Sequence, residues 1–344
     1  MFIKVVYTIV IAIVIFISAS LFLPQKVHVE RAVFIDRPAS TVFILLNKLN
    51  NFAVWSPWAE KDPDIVYAYS GPASGVGARL TWSGDPRLVG AGWQEIIEST
   101  PSSMIRMNVS IDQQGHSSSF FRIDPKDTGT RLSWGFDTNL VQDQGFFGGI
   151  LARYFGLFFD QWIGSDYEQG LARFKDFAES LPGADFSDLD VEIIEAEPLA
   201  IFYIVADNNQ SPGGVAASLA AAYQEVTAFM AEHSIEMYSQ PMAITRAWDA
   251  QDYEFHAAIP VATTDVELSG RVRAGTSPSG VAVKVVHQGS YDSMALSYEK
   301  LAAYMAIHGL KESRVSWEHY ISDPGQTPAD QIITHIYFLI ESEQ

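Results

Sequence analysis

Near its start the chain has an uncharged run of apolar residues, Val5–Leu23, and few structures can accommodate such a segment. At a rise of about 1.5 Å per residue, a helix over this run nearly spans a hydrocarbon core of about 30 Å. The sequence therefore predicts that residues 1–25 form a transmembrane anchor, with contact to the membrane through residues 5–23.

A cleaved signal peptide is the alternative for this segment, because Ser18–Ser20 supplies small residues at suitable positions for cleavage. The apolar run continues through Leu21–Leu23, beyond any such cut, which favours an uncleaved anchor. The basic flanks are nearly balanced, and the very short N-terminal tail favours a start on the inner side. We expect a single-pass protein of a bacterial inner membrane with extracytoplasmic soluble domains.

The charge and the cysteine content exclude several classes of function. The 344 residues include 22 basic and 41 acidic side chains, a net charge of −19, which disfavours binding to nucleic-acid phosphates. The cysteine count is 0, so disulfide frameworks, thiolate nucleophiles and iron–sulfur clusters are excluded. Residues 183–344 hold 7 basic and 23 acidic side chains, so this half suits cations or neutral ligands better than anions.

Residues 27–182 have the pattern of an antiparallel sheet with helices. Val27–Ile35 alternates like a strand, helical spacing begins at Pro38, and a helix is predicted over roughly Gln161–Leu181. Candidate strands between them are separated by Gly, Pro, Asp and Asn: Ile65–Ser70, Ala78–Trp82, Gly92–Ser99, Met104–Ile111, Ser117–Ile123 and Thr130–Phe136. This order predicts an α+β domain in which a curved sheet wraps around one helix.

The same segment contains WSPWAEKDPDIVYAYSGPASGVGARLTWSG, TRLSWGFDT and YFGLFFDQWIGSDYEQGLARFK. With these stretches it resembles the START-like SRPBCC superfamily, and within it the branch labelled polyketide cyclase/dehydrase-like. The resemblance implies a helix-grip fold that encloses an apolar cavity between the sheet and the C-terminal helix. It implies binding of a hydrophobic small molecule or lipid, and it does not imply cyclase chemistry.

The tryptophans of this domain are its candidate ligand-binding residues. Trp82 and Trp134 are predicted to line the cavity, and the alternative is that they are ordinary aromatic residues of the core and its rim. No paired-carboxylate or Ser/His/Asp spacing indicates catalysis in this half of the chain.

An internal repeat follows a boundary at Leu181–Gly183 and a short acidic segment. Each repeat is predicted as a βαββ unit, and a pair of such units leaves a groove along the pseudo-twofold axis between them. The first unit comprises Leu199–Val205, Val215–His233, Pro241–Ala247 and Tyr253–Val261, and the second comprises Val281–Gln288, Ser293–His308, Ser316–Ile321 and Gln331–Ile340.

Residues 189–344 contain YEFHAAIPV, VVHQGSYDSMALSYEKLAAYMAIHGLK and WEHYISDPGQTPADQIITHIYFLI. They are similar to the GyrI-like family, the effector-binding domain of AraC-type regulators. The resemblance implies a groove between the repeats that binds small, often cationic or aromatic, ligands around a glutamate, here Glu318. Some relatives are hydrolases that use this glutamate with an aromatic hydroxyl.

The position of Glu318 in a strand supports a role in binding without the resemblance. Side chains alternate along a strand, so Glu318 and Tyr320 share one face. A carboxylate against aromatic faces is a natural receptor for a cation, and the alternative is that Glu318 faces solvent. Tyr291 at a strand-to-helix turn is a further candidate, and the alternative is that it packs against the helix. Trp248 and Tyr203 are candidate groove walls, and the alternative is that they are plain core residues.

Together these features predict a membrane-anchored protein with two modules that bind hydrophobic or cationic small molecules. The alternative is a hydrolase in which Glu318 is the general base and Tyr291 assists, and a third possibility is a scaffold. We expect no cofactor, since no nucleotide or phosphate loop is present. The histidines have no metal-ligand spacing, so we expect no metal site. Protein partners are not indicated.

Overall fold

The computed structural model describes residues 2–111, 117–142, 144–206, 214–247 and 253–341. Their contacts divide the chain into two compact units, Met1–Asp185 and Phe186–Gln344. Both are α+β units built on antiparallel sheets, so the predicted fold class is confirmed.

The first unit begins with an apolar helix, α1 (Phe2–Ser20). The helix starts before the predicted apolar run and ends before that run does. It ends at Ser20 because Leu21–Leu23 forms a turn in which the Leu21 amide donates to the Ser18 carbonyl. The helix is long and apolar enough to cross a membrane, and a signal sequence has the same properties. Its side chains are almost entirely exposed.

A seven-stranded antiparallel sheet follows α1, in the order β1-β7-β6-β5-β4-β3-β2. The strands are β1 (Lys26–Ile35), β2 (Val66–Ser70), β3 (Arg79–Ser83), β4 (Ala91–Thr100), β5 (Met104–Ile111), β6 (Ser117–Lys126) and β7 (Gly129–Asn139). The helices are α2 (Ala39–Asn47), α3 (Phe52–Trp55), α4 (Pro57–Lys61), α5 (Phe146–Gly156) and α6 (Phe159–Glu179).

The long helix α6 provides the face that closes the core of this unit. Its buried residues recur every three or four positions, which places them on one face of the helix: Gly164, Tyr167, Gly170, Leu171, Phe174 and Ala178. The Tyr167 ring stacks on Trp134 of β7 with 3.8 Å between ring centroids. This stack ties α6 to β7, the strand next to the β1 edge of the sheet.

The second unit contains an eight-stranded sheet in the order β12-β9-β11-β10-β14-β15-β13-β8. Its strands are β8 (Val191–Ala196), β9 (Ala200–Ala206), β10 (Met242–Ala247), β11 (Tyr253–Pro260), β12 (Arg273–Thr276), β13 (Gly280–Gln288), β14 (Glu312–Tyr320) and β15 (Ile333–Ile340). Its helices are α7 (Gly214–Glu232) and α8 (Met294–His308). The units β9-α7-β10-β11 and β13-α8-β14-β15 are the two predicted repeats, and they meet where β10 pairs with β14.

The sequence prediction lacked the helices α3, α4 and α5 and the strands β8 and β12. Helix α5 is glycine-rich and apolar around most of its circumference, so it lacks a helical pattern. The strand β8 lies at an edge of the sheet, and its Glu192 pairs with Lys284 of β13 at 2.9 Å. Strand β12 is only a short addition to the opposite edge.

The short acidic segment before β8 contributes a buried side chain to the second unit. Phe186 is 5% exposed and packs edge-on against Tyr304 of α8, with 5.7 Å between ring centroids. Two residues later, Asp188 forms an ion pair with Lys300 of the same helix. The second unit therefore needs residues that precede position 189.

We predict that a fragment of residues 183–344 is more stable than a fragment of residues 189–344. The shorter fragment lacks the ring of Phe186, whose burial stabilises by about 1.5–3 kcal/mol. Urea unfolding followed by circular dichroism measures the difference. Equal midpoints for the two fragments would show that Phe186 contributes nothing to this unit.

Candidate ligand-binding sites

The pairing of β14 with its neighbours places Glu318 between the two helices of the second unit. Glu318 lies opposite Ala243 of β10 and Ile336 of β15, and directly opposed residues share a face of the sheet. On that face α7 packs over β9 and β11, and α8 packs over β13 and β15. The central strands β10 and β14 thus form the floor of a groove between the helices.

Two tyrosine hydroxyls donate hydrogen bonds to the Glu318 carboxylate. Tyr298 of α8 donates to Oε1 at 2.6 Å, and Tyr320 of β14 donates to Oε2 at 2.6 Å. These distances are typical of charge-assisted bonds from a hydroxyl to a carboxylate. None of the ion pairs among the described residues of the second unit includes Glu318.

Two further tyrosines, Tyr223 and Tyr291, lie around this carboxylate. We term the four residues Tyr223, Tyr291, Tyr298 and Tyr320 the tyrosine cage. The Tyr320 ring meets Tyr291 edge-on at 5.8 Å and Tyr223 edge-on at 6.4 Å between centroids. Tyr223 comes from α7 and donates to the Met242 carbonyl at 2.7 Å. Both repeats therefore contribute to one site.

Burial raises the pKa of all four hydroxyls in the tyrosine cage above the ordinary value of a tyrosine, and the negative charge of Glu318 raises each pKa further. The cage hydroxyls therefore stay protonated at neutral pH and act as donors. The arrangement is a carboxylate held by neutral phenols and bordered by aromatic rings.

The other predicted groove residues have different positions. Tyr291 joins the cage and is 41% exposed. Tyr203 does not join it: Tyr203 stacks on His256 at 4.8 Å and packs with Trp317 and Tyr337 on the opposite face of the sheet. The reason is the strand register, since successive residues along a strand lie on opposite faces of the sheet. Trp248 lies outside the described residues.

The first unit contains an apolar cavity between its sheet and α6, with a free volume of about 140 Å³. Trp82 and Trp134 both line it. The Trp134 indole donates to the Ser119 hydroxyl at 3.0 Å. Gln94 also lines the cavity and is 5% exposed, and its Nε2 has no hydrogen-bond partner among the residues that the structure describes.

Two family models match the chain in succession. A model described as polyketide cyclase / dehydrase and lipid transport matches residues 26–179, and a GyrI-like small molecule binding domain matches residues 189–341. The chain joins an SRPBCC domain to a GyrI-like domain. Both are domains of small-molecule-binding types. A search of curated proteins found no match.

Several solved structures resemble parts of the chain. A hydrolase from Listeria innocua is 15% identical, with 49% of this chain and 98% of the hydrolase covered, at a TM-score of 0.33. The EcmrR C-terminal domain is 15% identical, with 45% and 99% covered, at a TM-score of 0.36. A protein from Chromobacterium violaceum is 16% identical, with 45% and 99% covered, at a TM-score of 0.33. Scores this low assign no function.

Sequence reasoning missed Tyr298 and Tyr223 in the GyrI-like domain and Gln94 in the SRPBCC domain. Tyr298 follows Tyr291 by seven residues, but Tyr291 precedes α8, so this spacing did not place the two on one helix face. Tyr223 is a tyrosine in an alanine-rich helix, and nothing in that pattern indicates the groove. Gln94 interrupts the inward face of β4, which was a readable anomaly.

We predict that Tyr298→Phe lowers the free energy of unfolding of the GyrI-like domain by about 1–2 kcal/mol. It removes a bond to a charged acceptor, and partial exposure reduces the contribution. In a Glu318→Gln background the same change costs less, because the acceptor is neutral. Urea unfolding of the four proteins of this double-mutant cycle gives the coupling.

The matched control is Tyr238→Phe, at a position that is 67% exposed, and it leaves stability unchanged. Additive effects of Tyr298→Phe and Glu318→Gln would contradict a direct bond between these side chains.

We predict that Gln94→Leu stabilises the ligand-free SRPBCC domain by about 1 kcal/mol, because it removes a buried donor that has no acceptor. Ser119→Ala has the opposite effect, since it leaves the buried Trp134 indole without its acceptor. Thermal unfolding of the purified protein measures both. A loss of stability in Gln94→Leu equal to that in Ser119→Ala would show that Gln94 is satisfied within the fold.

Proposed function

We propose that the chain is a membrane-anchored small-molecule binding protein whose GyrI-like groove captures lipophilic cations. The observation that carries the proposal is the carboxylate of Glu318, which has two hydroxyl donors and no cationic partner among the described residues. It lies among aromatic rings, and each hydroxyl that reaches it is neutral. A positive ligand would supply the missing charge.

Three contributions favour a cation over an anion in this groove. The carboxylate attracts it directly, and the ring faces of the tyrosine cage add about 0.5–2 kcal/mol per cation–π contact. The half of the chain that contains the groove holds 7 basic and 23 acidic side chains, which raises the local concentration of cations. The partly exposed Tyr291 lies at the side of the cage that a ligand can reach from solvent.

Binding agrees with this geometry better than the alternative of hydrolysis with Glu318 as the general base. Each carboxylate oxygen already accepts a tyrosine hydroxyl, so a water molecule has to compete for either oxygen. The raised pKa of Tyr291, which is due first to burial, keeps its hydroxyl from acting as a base at neutral pH. We therefore place Glu318, Tyr320 and Tyr291 in a binding role, with Tyr298 and Tyr223 beside them.

For the SRPBCC domain we propose a second, hydrophobic ligand between Trp82 and Trp134. The free volume of about 140 Å³ is close to that of an engineered cavity that binds benzene. The unpartnered Nε2 of Gln94 supports a ligand that carries one acceptor, such as a carbonyl or hydroxyl oxygen, on an otherwise apolar ring.

For location we propose that α1 remains attached and crosses the membrane through residues 5–23. Its length, composition and exposed side chains support a span. We further propose that this membrane is a bacterial inner membrane and that the soluble domains lie on its extracytoplasmic side.

We predict that Glu318→Gln weakens binding of a lipophilic cation by about 1–3 kcal/mol, one to two decades in Kd. A neutral aromatic of the same shape binds the variant and the unchanged protein alike, because the ring contacts persist. Isothermal titration of both proteins with the matched pair measures these effects.

The matched control is Glu267→Gln, which removes an exposed carboxylate elsewhere in the same unit and leaves cation affinity unchanged. Equal losses for the cation and the neutral ligand in Glu318→Gln would contradict a charge-specific role. Turnover of activated esters that disappears in Glu318→Gln would favour the hydrolase.

A further inference from the structure

The SRPBCC domain carries a concentrated apolar surface outside its cavity. It comprises the exposed side chains on α5 and the start of α6 that we term the aromatic ridge: Phe146, Phe147, Leu151, Phe155, Phe158 and Trp162. Each is more than half exposed, with Phe147 the most exposed at 74%. Single exposed apolar residues are ordinary in soluble proteins, but a contiguous group of this kind marks an interaction surface.

The ridge follows the periodicity of its two helices. Phe147, Leu151 and Phe155 are four residues apart, which places them on one face of α5. Phe158 and Trp162 continue it across the junction, with rings stacked at 5.9 Å. One long apolar stripe results.

Charge is nearly absent from this segment. Between Phe146 and Trp162 the only charged residues are Arg153 and Asp160. Asp160 is paired with Arg31 at 3.0 Å, and Arg153 donates to the Gly149 carbonyl at 3.2 Å. The ridge therefore suits an apolar environment better than a charged protein surface.

The position of α1 identifies the occupant of this surface. Tyr154 of α5 stacks on Phe16 of α1 at 4.2 Å between centroids, and its hydroxyl donates to the Phe16 carbonyl at 2.7 Å. Phe16 lies one turn before the end of α1 at Ser20, about 6 Å along the helix axis. Helix α5 is thus fixed beside the last turn of the apolar helix.

We propose that the aromatic ridge docks on the lipid bilayer, in the interfacial layer beside the point where α1 leaves the membrane. Interfacial helices bury their apolar face by about 5–10 Å, and aromatic side chains are enriched at that depth. The ridge has this composition and lies at this level of α1. The inference rests on the proposed anchoring through α1, and it adds a second, peripheral contact that orients the domain on the membrane.

The contact also brings the cavity of the SRPBCC domain close to lipid. Ile163, the residue after Trp162, lines the cavity. Phe159 of α6 stacks on Phe136, another lining residue, at 6.4 Å. A ridge seated in the interface therefore separates the bilayer from the cavity by about one layer of side chains.

The absence of cysteine from the sequence makes a direct test possible, because one introduced cysteine carries one label. Full-length Phe147→Cys and Leu151→Cys proteins are labelled with a polarity-sensitive fluorophore and reconstituted in phosphatidylcholine vesicles. Val66→Cys, 64% exposed on β2 at the sheet edge opposite β1, is the matched water-facing control. Ile11→Cys in α1 reports insertion of the anchor.

We expect shallow spin-labelled lipid to quench the labels at 147 and 151 at least about threefold more than the label at 66, and aqueous iodide to do the reverse. Labels at 147 and 151 that behave like the label at 66, while the label at 11 is quenched by lipid, would overturn the ridge proposal and leave the anchor intact. Labels at 11 and 147 that are both accessible to iodide would overturn both.

Protection of the labels at 147 and 151 from both quenchers would mean that protein covers the ridge, either a second copy or another part of the chain, and would also overturn the proposal. Lipid quenching at 147 without lipid quenching at 11 would contradict the anchor, and with it the docking of the ridge beside α1, even though the ridge itself contacts lipid. Unchanged thermal unfolding of the labelled proteins verifies that the exposed substitutions preserve the fold.

Discussion

The antiparallel pairing of β10 with β14 joins the two repeats of the GyrI-like domain, and the position of Glu318 depends on it. The register opposes Ala243 to Glu318 and Ile244 to Trp317. Trp317 is buried on the far face, where it stacks on Tyr337 at 4.8 Å, and this burial fixes which side of β14 faces the helices. A slip of one residue would bury the carboxylate in that apolar layer and expose the tryptophan.

The same register explains why a charge is tolerated in the middle of a sheet. Small Ala243 beside Glu318 leaves space over the central strands, while α7 and α8 cover only the outer ones. The carboxylate obtains its hydrogen bonds from Tyr298 and Tyr320, which cannot neutralise it. Because it is hydrogen-bonded but has no counter-charge within the described part of the unit, it is suited to a positive ligand that arrives from outside.

Much of this was readable from the sequence, and the remainder depends on contacts between elements. Alternation along the strand pairs Glu318 with Tyr320, and the βαββ pattern predicts the groove. Tyr298 reaches Glu318 from α8 at the side of the groove, and periodicity does not specify the distance between α8 and β14. Tyr203 was assigned to the groove, but its face depends on register through β11 and β10. Helix α5 was missed because an all-round apolar segment has no pattern, and the same property makes it the core of the aromatic ridge.

Carbon-13 NMR of the side-chain carboxyl groups tests whether a cation binds against the Glu318 carboxylate. The resonance of Glu318 is identified as the one that disappears in Glu318→Gln. We expect this resonance to shift during titration with a lipophilic cation, with a midpoint equal to the binding Kd. During titration with the neutral isostere the same resonance does not shift. A saturating concentration of the cation that leaves the Glu318 resonance unshifted would contradict binding of the cation at this carboxylate.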